Sequence, residues 1–171
     1  MKPTLAQLNA ADQPQFVAVC GPLFEHSPWI AERAWHRRPF ASLEGLLQAL
    51  CHCVNEATSD EKLALIRAHP DLVGRAALAG SLTRESTGEQ AAAGLAHLSP
   101  EEVRQFQEYN AAYRERFGFP FVICARENKK DAILAAFPAR LANSPPAEIA
   151  AALAEIAKIA WLRLTDAVEE P

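Results

Sequence analysis

The sequence predicts an all-α fold: a single compact multi-helix domain over residues 1–171, with about eight or nine helices. Three observations carry this. Helix-start signals recur along the whole chain, while period-2 alternation rich in β-branched residues is nearly absent. Half of the 171 residues are hydrophobic and 22% are charged, which is ordinary globular composition with enough chain to bury a core.

The elements follow in order. A first helix is expected over 4–10. Asp12-Gln13-Pro14-Gln15 has capping-box spacing and opens 13–20. Ser27-Pro28 places a cap before a proline at the first helical position, opening 28–36. A helix over 43–57 follows. Thr58-Ser59-Asp60-Glu61 opens 60–68, Ser86-Thr87-Gly88-Glu89 opens 86–96, and Ser99-Pro100-Glu101-Glu102 opens 100–116. A helix spans 129–142, and Ser144-Pro145-Pro146 opens a long last one at 146–168. Residues 70–85 read as a loop with a short helical piece near 72–79. Only 119–124 resembles a strand, and it has no partner.

Several function classes are disfavoured. The net charge is −4 and no Lys/Arg cluster or basic helix face occurs, so no nucleic-acid partner is expected. No apolar run approaches the roughly 18 residues of a membrane span. The first residues open no signal peptide and the last are not a peroxisomal address, so a cytoplasmic location is expected. Cys20, Cys51, Cys53 and Cys124 fit neither a disulfide framework nor CxxC. Cys51-His52-Cys53 would point its neighbouring ligands about 200° apart on a helix, and the five histidines show no H-x-H or H-x-x-x-H spacing, so no metal site is expected.

Two helices carry polar residues where apolar ones belong. Asn110 interrupts the stripe Val103, Phe106, Tyr113, Phe117. In the last helix the stripe reads Ile149, Leu153, Ile156, Ala160, Leu164, Ala167, and Arg163 lies about 20° from Ile156 around the axis. A buried guanidinium needs an anion. That anion is either a protein carboxylate or a ligand carboxylate.

Three segments present groups suited to chemistry. His69 stands before Pro70, which pushes it out of the α region and holds it at a helix C-terminus, where imidazolium is stabilised. It either caps carbonyls or handles protons. The run 86–90 is either a plain capping box or a helix N-terminus facing an anionic or carbonyl-rich ligand. Gly118 ends the long helix, and the apolar extended segment after it must satisfy its backbone without a sheet. It either loops over the core or lines a pocket for an amide-rich ligand. His26, in Glu25-His26-Ser27-Pro28-Trp29, reads as a cap packed beside Trp29 or as support for a pocket.

Taken together, "FEHSPWIAERAW" (24–35), "AHPDLVGR" (68–75), "LTRESTGEQAAAGL" (82–95), "YNAAYRERFGFPFVICAR" (109–126) and "EIAKIAWLRL" (155–164) resemble the 2-oxo-4-hydroxy-4-carboxy-5-ureidoimidazoline (OHCU) decarboxylase family over nearly the whole chain. The resemblance implies cofactor-independent decarboxylation of OHCU to (S)-allantoin and CO₂, the last step of urate oxidation to allantoin. It implies no metal or organic cofactor, a homodimer, and the pathway neighbours uricase and hydroxyisourate hydrolase. By position, it makes His69 and Glu89 catalytic. It makes Pro70, Ser86, Thr87, Gly88, Glu89, Gln90, Phe121, Val122, Ile123, Cys124 and Ala125 substrate-binding, with Arg163 facing the carboxylate. The rival classes are a helical binding module without catalysis and a metal-dependent amidohydrolase, which would need several His/Asp ligands.

Overall fold

Helices dominate because this sequence caps them well. The computed structural model describes residues 2–169. Its elements are α1 (Leu5–Ala10), α2 (Gln13–Cys20), α3 (Trp29–Trp35), α4 (Leu43–Asn55), α5 (Ser59–Ala68), α6 (Arg75–Leu78), α7 (Arg84–Ala92), α8 (Pro100–Phe117), α9 (Lys130–Leu141) and α10 (Pro145–Ala167), with 3₁₀ turns at Gly21–Leu23 and Ala125–Glu127. Among the described residues the only β pairing is an isolated parallel bridge, Thr4 to Glu169. None of these helices is long and apolar enough to cross a membrane. Capping boxes close the starts of α1 at Thr4, α2 at Asp12 and α8 at Ser99. Thr58 and Glu61 exchange the same reciprocal bonds at α5.

The start of α3 differs from expectation. Pro28, not Ser27, is the N-cap of α3, and it has no side-chain cap bond. The Ser27 hydroxyl donates to the Glu25 carbonyl instead. His26 stands exposed at φ 47°, so it neither caps α3 nor packs inside. That turn sends Glu25 inward.

The chain forms two compact units. One comprises residues up to Ala68 together with those from Ala157 onward. There α2 packs on α3 and α3 on α4, around a core that includes Phe16, Phe24, Ile30, Leu46, Leu50 and Leu65. Arg163 and Glu25 meet inside this unit at 3.0 Å, both nearly fully buried.

The other unit is His69–Ile156. Here α8 packs on α9. Phe106, Asn110 and Tyr113 of the expected α8 stripe are buried. Tyr113 touches the rings of Phe117, Phe119 and Phe121, and Phe121 stacks on Phe137 at 3.9 Å. Gly118 ends α8 at φ 76°, the left-handed cap that glycine adopts without a Cβ clash. Of the expected α10 stripe, Ile156, Ala160 and Leu164 are buried, but in the first turns the buried face is turned from it. Glu148 and Ala152 point inward, whereas Ile149 and Leu153 are half-buried. Glu148 is completely buried and accepts from Tyr113 Oη (2.5 Å), Asn143 Nδ2 (2.9 Å) and Arg140 Nε. Burial and this neighbouring carboxylate push the Tyr113 phenol far up.

Removing one member of a buried pair strands the other. Glu148→Leu should therefore lower unfolding stability by about 3–5 kcal/mol in urea titrations, against under about 0.5 kcal/mol for Glu101→Gln in the exposed pair with Arg104. Gly118→Ala should cost about 1 kcal/mol in the same assay, because alanine is strained at positive φ.

Candidate active site

The site-forming segments implied by the sequence, Arg163 apart, all lie within His69–Ile156. His69 follows α5 directly and is 6% exposed. Pro70 is half-buried. The loop after them is held from two helices. Val73 N–H donates to Gln90 Oε1 (3.2 Å), and Asn110 Nδ2 donates to the Leu72 carbonyl (2.8 Å). Arg114 Nε donates to both Asp71 carboxylate oxygens at 3.0 and 2.9 Å.

The helix carrying Ser86 to Gln90 starts at Arg84, not at Ser86. Thr83 is its N-cap, accepting from Ser86 N–H (3.2 Å) and, through its carbonyl, from Thr87 N–H (2.9 Å). The expected capping box at Ser86 and Glu89 is therefore absent, and the amides of Ser86 and Thr87 serve Thr83. Helical geometry then divides the run. Ser86 and Gln90 are buried and Glu89 is half-buried on one face, while Thr87 and Gly88 are exposed on the other.

The segment 119–124 is extended and unpaired as expected, and side chains replace the missing sheet. Cys124 N–H donates to Glu155 Oε2 (2.8 Å). The Val122 carbonyl accepts from Arg140 Nη1 (3.0 Å), and the Cys124 carbonyl accepts from Asn128 Nδ2 (2.9 Å). Arg140 also lies over the Phe121 ring at 4.7 Å. Phe121, Val122, Cys124 and Ala125 are buried and Ile123 is half-buried.

The 3₁₀ turn Ala125–Glu127 packs against α7. Lys130 N–H and Lys129 Nζ donate to the Ala93 and Ala92 carbonyls, joining the start of α9 to the end of α7. Burial first, then the carboxylates of Glu127, Glu155 and Glu89, push the Cys124 thiol up, against a lowering bond from the Glu127 backbone. Burial thus disfavours the thiolate form that a nucleophilic Cys124 would need. All four cysteines are free thiols. Among the described residues no group of three or more His, Cys, Asp or Glu is arranged to hold a metal ion, and Cys51-His52-Cys53 lies within α4.

Arg163 has the protein carboxylate that the sequence left open as its partner. Its Nη1 lies 3.0 Å from Glu25 Oε2 and donates to the Pro22 carbonyl at 3.2 Å. Sequence reasoning did not single out Glu25, Glu155 or Arg140. Their signal was indirect: a guanidinium on a buried face, and a backbone edge with no sheet.

Comparison with known proteins converges with this geometry. Residues 9–165 match the sequence profile described as OHCU decarboxylase. The 2-oxo-4-hydroxy-4-carboxy-5-ureidoimidazoline decarboxylase of Haloferax volcanii is 44% identical over 163 residues, covering 95% of each chain. That of Halalkalicoccus jeotgali is 41% identical over 163 residues, covering 95% of this chain and 90% of its own. The crystal structure of (S)-allantoin synthase superposes with a TM-score of 0.77 at 29% identity, covering 96% of this chain and 54% of that one, so this chain spans about half its length. A profile match over residues 9–165 together with a relative 44% identical along 95% of its length makes the chain a member of the OHCU decarboxylase family.

Proposed function

We propose that this chain decarboxylates OHCU to (S)-allantoin and CO₂ and that residues 1–171 act as one functional domain. The observation that carries the site is the convergence of the His69 loop, α7 and the 121–127 segment, joined by the Val73–Gln90 bond and by α7 packing on Ala125–Glu127. A ureide substrate is rich in N–H donors, and the Glu89 carboxylate stands half-buried on α7, which packs on the Ala125–Glu127 turn.

The chemistry needs an electron sink and a proton. The carbon that loses CO₂ carries a hydroxyl and adjoins a ring C=N carbon. The C–C bond to the carboxylate breaks, and its electron pair forms an enol as the C=N pair moves onto nitrogen. That nitrogen and the ureido-bearing carbon gain protons, the enol hydroxyl loses its own, and the ketone results. One proton is taken up per CO₂ released. The sink belongs to the substrate, so the protein's work is orientation and proton handling. In this reading His69 meets the hydroxyl and shuttles its proton. Glu89 accepts from the ureido or ring N–H groups. Pro70, the 86–90 run and the backbone of 121–125 fix the ring plane. Whichever face His69 occupies sets the handedness of the product. The resemblance gives Arg163 the leaving carboxylate, a role that its pairing with Glu25 makes worth testing alone. It also supplies a homodimer, a cytoplasmic location and pathway adjacency to uricase and hydroxyisourate hydrolase.

Circular dichroism of the allantoin formed when those two enzymes generate OHCU in situ tests the reading. Rapid S product is expected, with kcat lowered about 10²-fold or more in His69→Ala. Racemic product at the uncatalysed rate would refute it. Arg163→Lys keeps the charge opposite Glu25 but loses the planar fork, and should lower kcat/KM by about tenfold if the guanidinium grips the carboxylate. Unchanged kcat/KM would leave Arg163 a structural partner of Glu25.

A further inference from the structure

Between His69 and α6 the chain takes a conformation that its own residues do not favour. Val73 sits at φ 55°, in the left-handed region, although it is β-branched and 3% exposed. Such a residue persists only where its surroundings over-determine it. The turn is also tight: Gly74 N–H donates to the Asp71 carbonyl (3.3 Å), and a Cβ on Gly74 would lie 2.7 Å from Asp71 Cβ. What over-determines it is a set of side-chain bonds from two helices. Asn110 of α8 holds the Leu72 carbonyl, Gln90 of α7 holds Val73 N–H, and Arg114 holds the Asp71 carboxylate from one turn beyond Asn110 on α8.

Asn110 is the telling member. It is 7% exposed in the middle of an apolar stripe, and its Oδ1 is buried without a hydrogen-bond partner among the described residues. An orphaned acceptor there is a cost that leucine would avoid. The residue makes sense through its other atom, Nδ2, on a carbonyl three positions after His69. Pro70 stiffens the link between them.

We propose that Asn110, assisted by Gln90 and Arg114, is a positioning residue: it fixes the strained 71–74 loop and thereby the place of the His69 imidazole. This rests on the reading of His69 as the proton-handling group. It also gives Gln90 a task distinct from substrate contact, because its amide oxygen holds the loop.

Asn110→Leu separates positioning from packing. A merely structural role would cost stability, through the stranded Leu72 carbonyl, and leave kcat of the folded protein unchanged. If Asn110 positions His69, kcat on OHCU generated in situ should fall about tenfold to a hundredfold, since small misplacements of a reacting group are expensive. KM should hold within about threefold, because the substrate grip lies elsewhere, and the urea midpoint should fall modestly, because the buried Leu72 carbonyl loses its donor. Arg114→Met, on the half-exposed side of the clamp, should lower kcat by a smaller factor of about two to five. A folded Asn110→Leu protein with kcat within twofold of wild type would overturn the proposal. If that variant does not fold, an unchanged kcat in Arg114→Met would overturn it. The His69 ring resonances in ¹H–¹³C spectra, assigned with His69→Gln, read the same claim without turnover. They should move between wild type and Asn110→Leu, or between wild type and Arg114→Met where only that variant folds, and unmoved resonances would refute it. Loss of stereospecific turnover in the wild type itself would indict the decarboxylase reading and leave this spectral comparison to decide the clamp.

Discussion

A helix satisfies its own backbone, but buried chain between helices cannot, and the His69–Ile156 unit is organised around that constraint. Two of its irregular stretches, the loop after His69 and the segment 119–128, carry the proposed site and have no strand to pair with. Both are met by side chains instead: Asn110 and Gln90 for the first, Glu155, Arg140 and Asn128 for the second. Each donor or acceptor comes from a helix or a helix boundary, so the irregular chain inherits its position from regular elements. Groups that must be placed for chemistry gain most from such anchoring.

The anchors need anchoring themselves. Arg140 reaches the Val122 carbonyl from a half-turn of bonds that begins at Glu148, a carboxylate with no exposure. Glu148 in turn has Tyr113 and Asn143 as donors. A buried ion pair alone is weak grounds for stability, since desolvation offsets the Coulomb attraction. Here the Glu148 oxygens are hydrogen-bonded, although Arg140 Nη2 is buried without a partner among the described residues, so the pair's clearest effect is to fix where the guanidinium points. The pair formed by Arg163 and Glu25 repeats the device in the other unit, where the Pro22 carbonyl takes the additional donor contact.

Most of the fold was legible because caps are local chemistry. Asp12, Thr58 and Ser99 announce helices within a few residues of where they start. The failures came where two local signals overlap or where the pattern is not apolar. Thr83 and Ser86 both precede suitable residues, and the true cap is the earlier one, with Ser86 itself as the N3 residue. In α10 the apolar periodicity found Ile156, Ala160 and Leu164, but in the first turns, where it chose Ile149 and Leu153, the face is set by Glu148, whose partners lie 35 and 8 residues away in sequence. A charge buried through long-range pairing leaves no periodic trace. Arg163 on a buried face and Asn110 within an apolar stripe were visible as anomalies, yet their partners Glu25 and Leu72 were not, for the same reason.

One turn of α7 shows how such a site economises on structure. Consecutive helical residues point about 100° apart, so Glu89 and Gln90 approach their surroundings from different directions. Gln90 turns into the unit and holds Val73, while Glu89 stays half-exposed and within electrostatic reach of Cys124. The same turn therefore ties the His69 loop to the 121–125 segment through one rigid piece of backbone. A reaction whose electron sink resides in the substrate asks the protein mainly for fixed distances among a few groups. A short helix that carries a proposed substrate-gripping residue and a loop-holding residue side by side supplies such a distance, because neither can shift without moving the other.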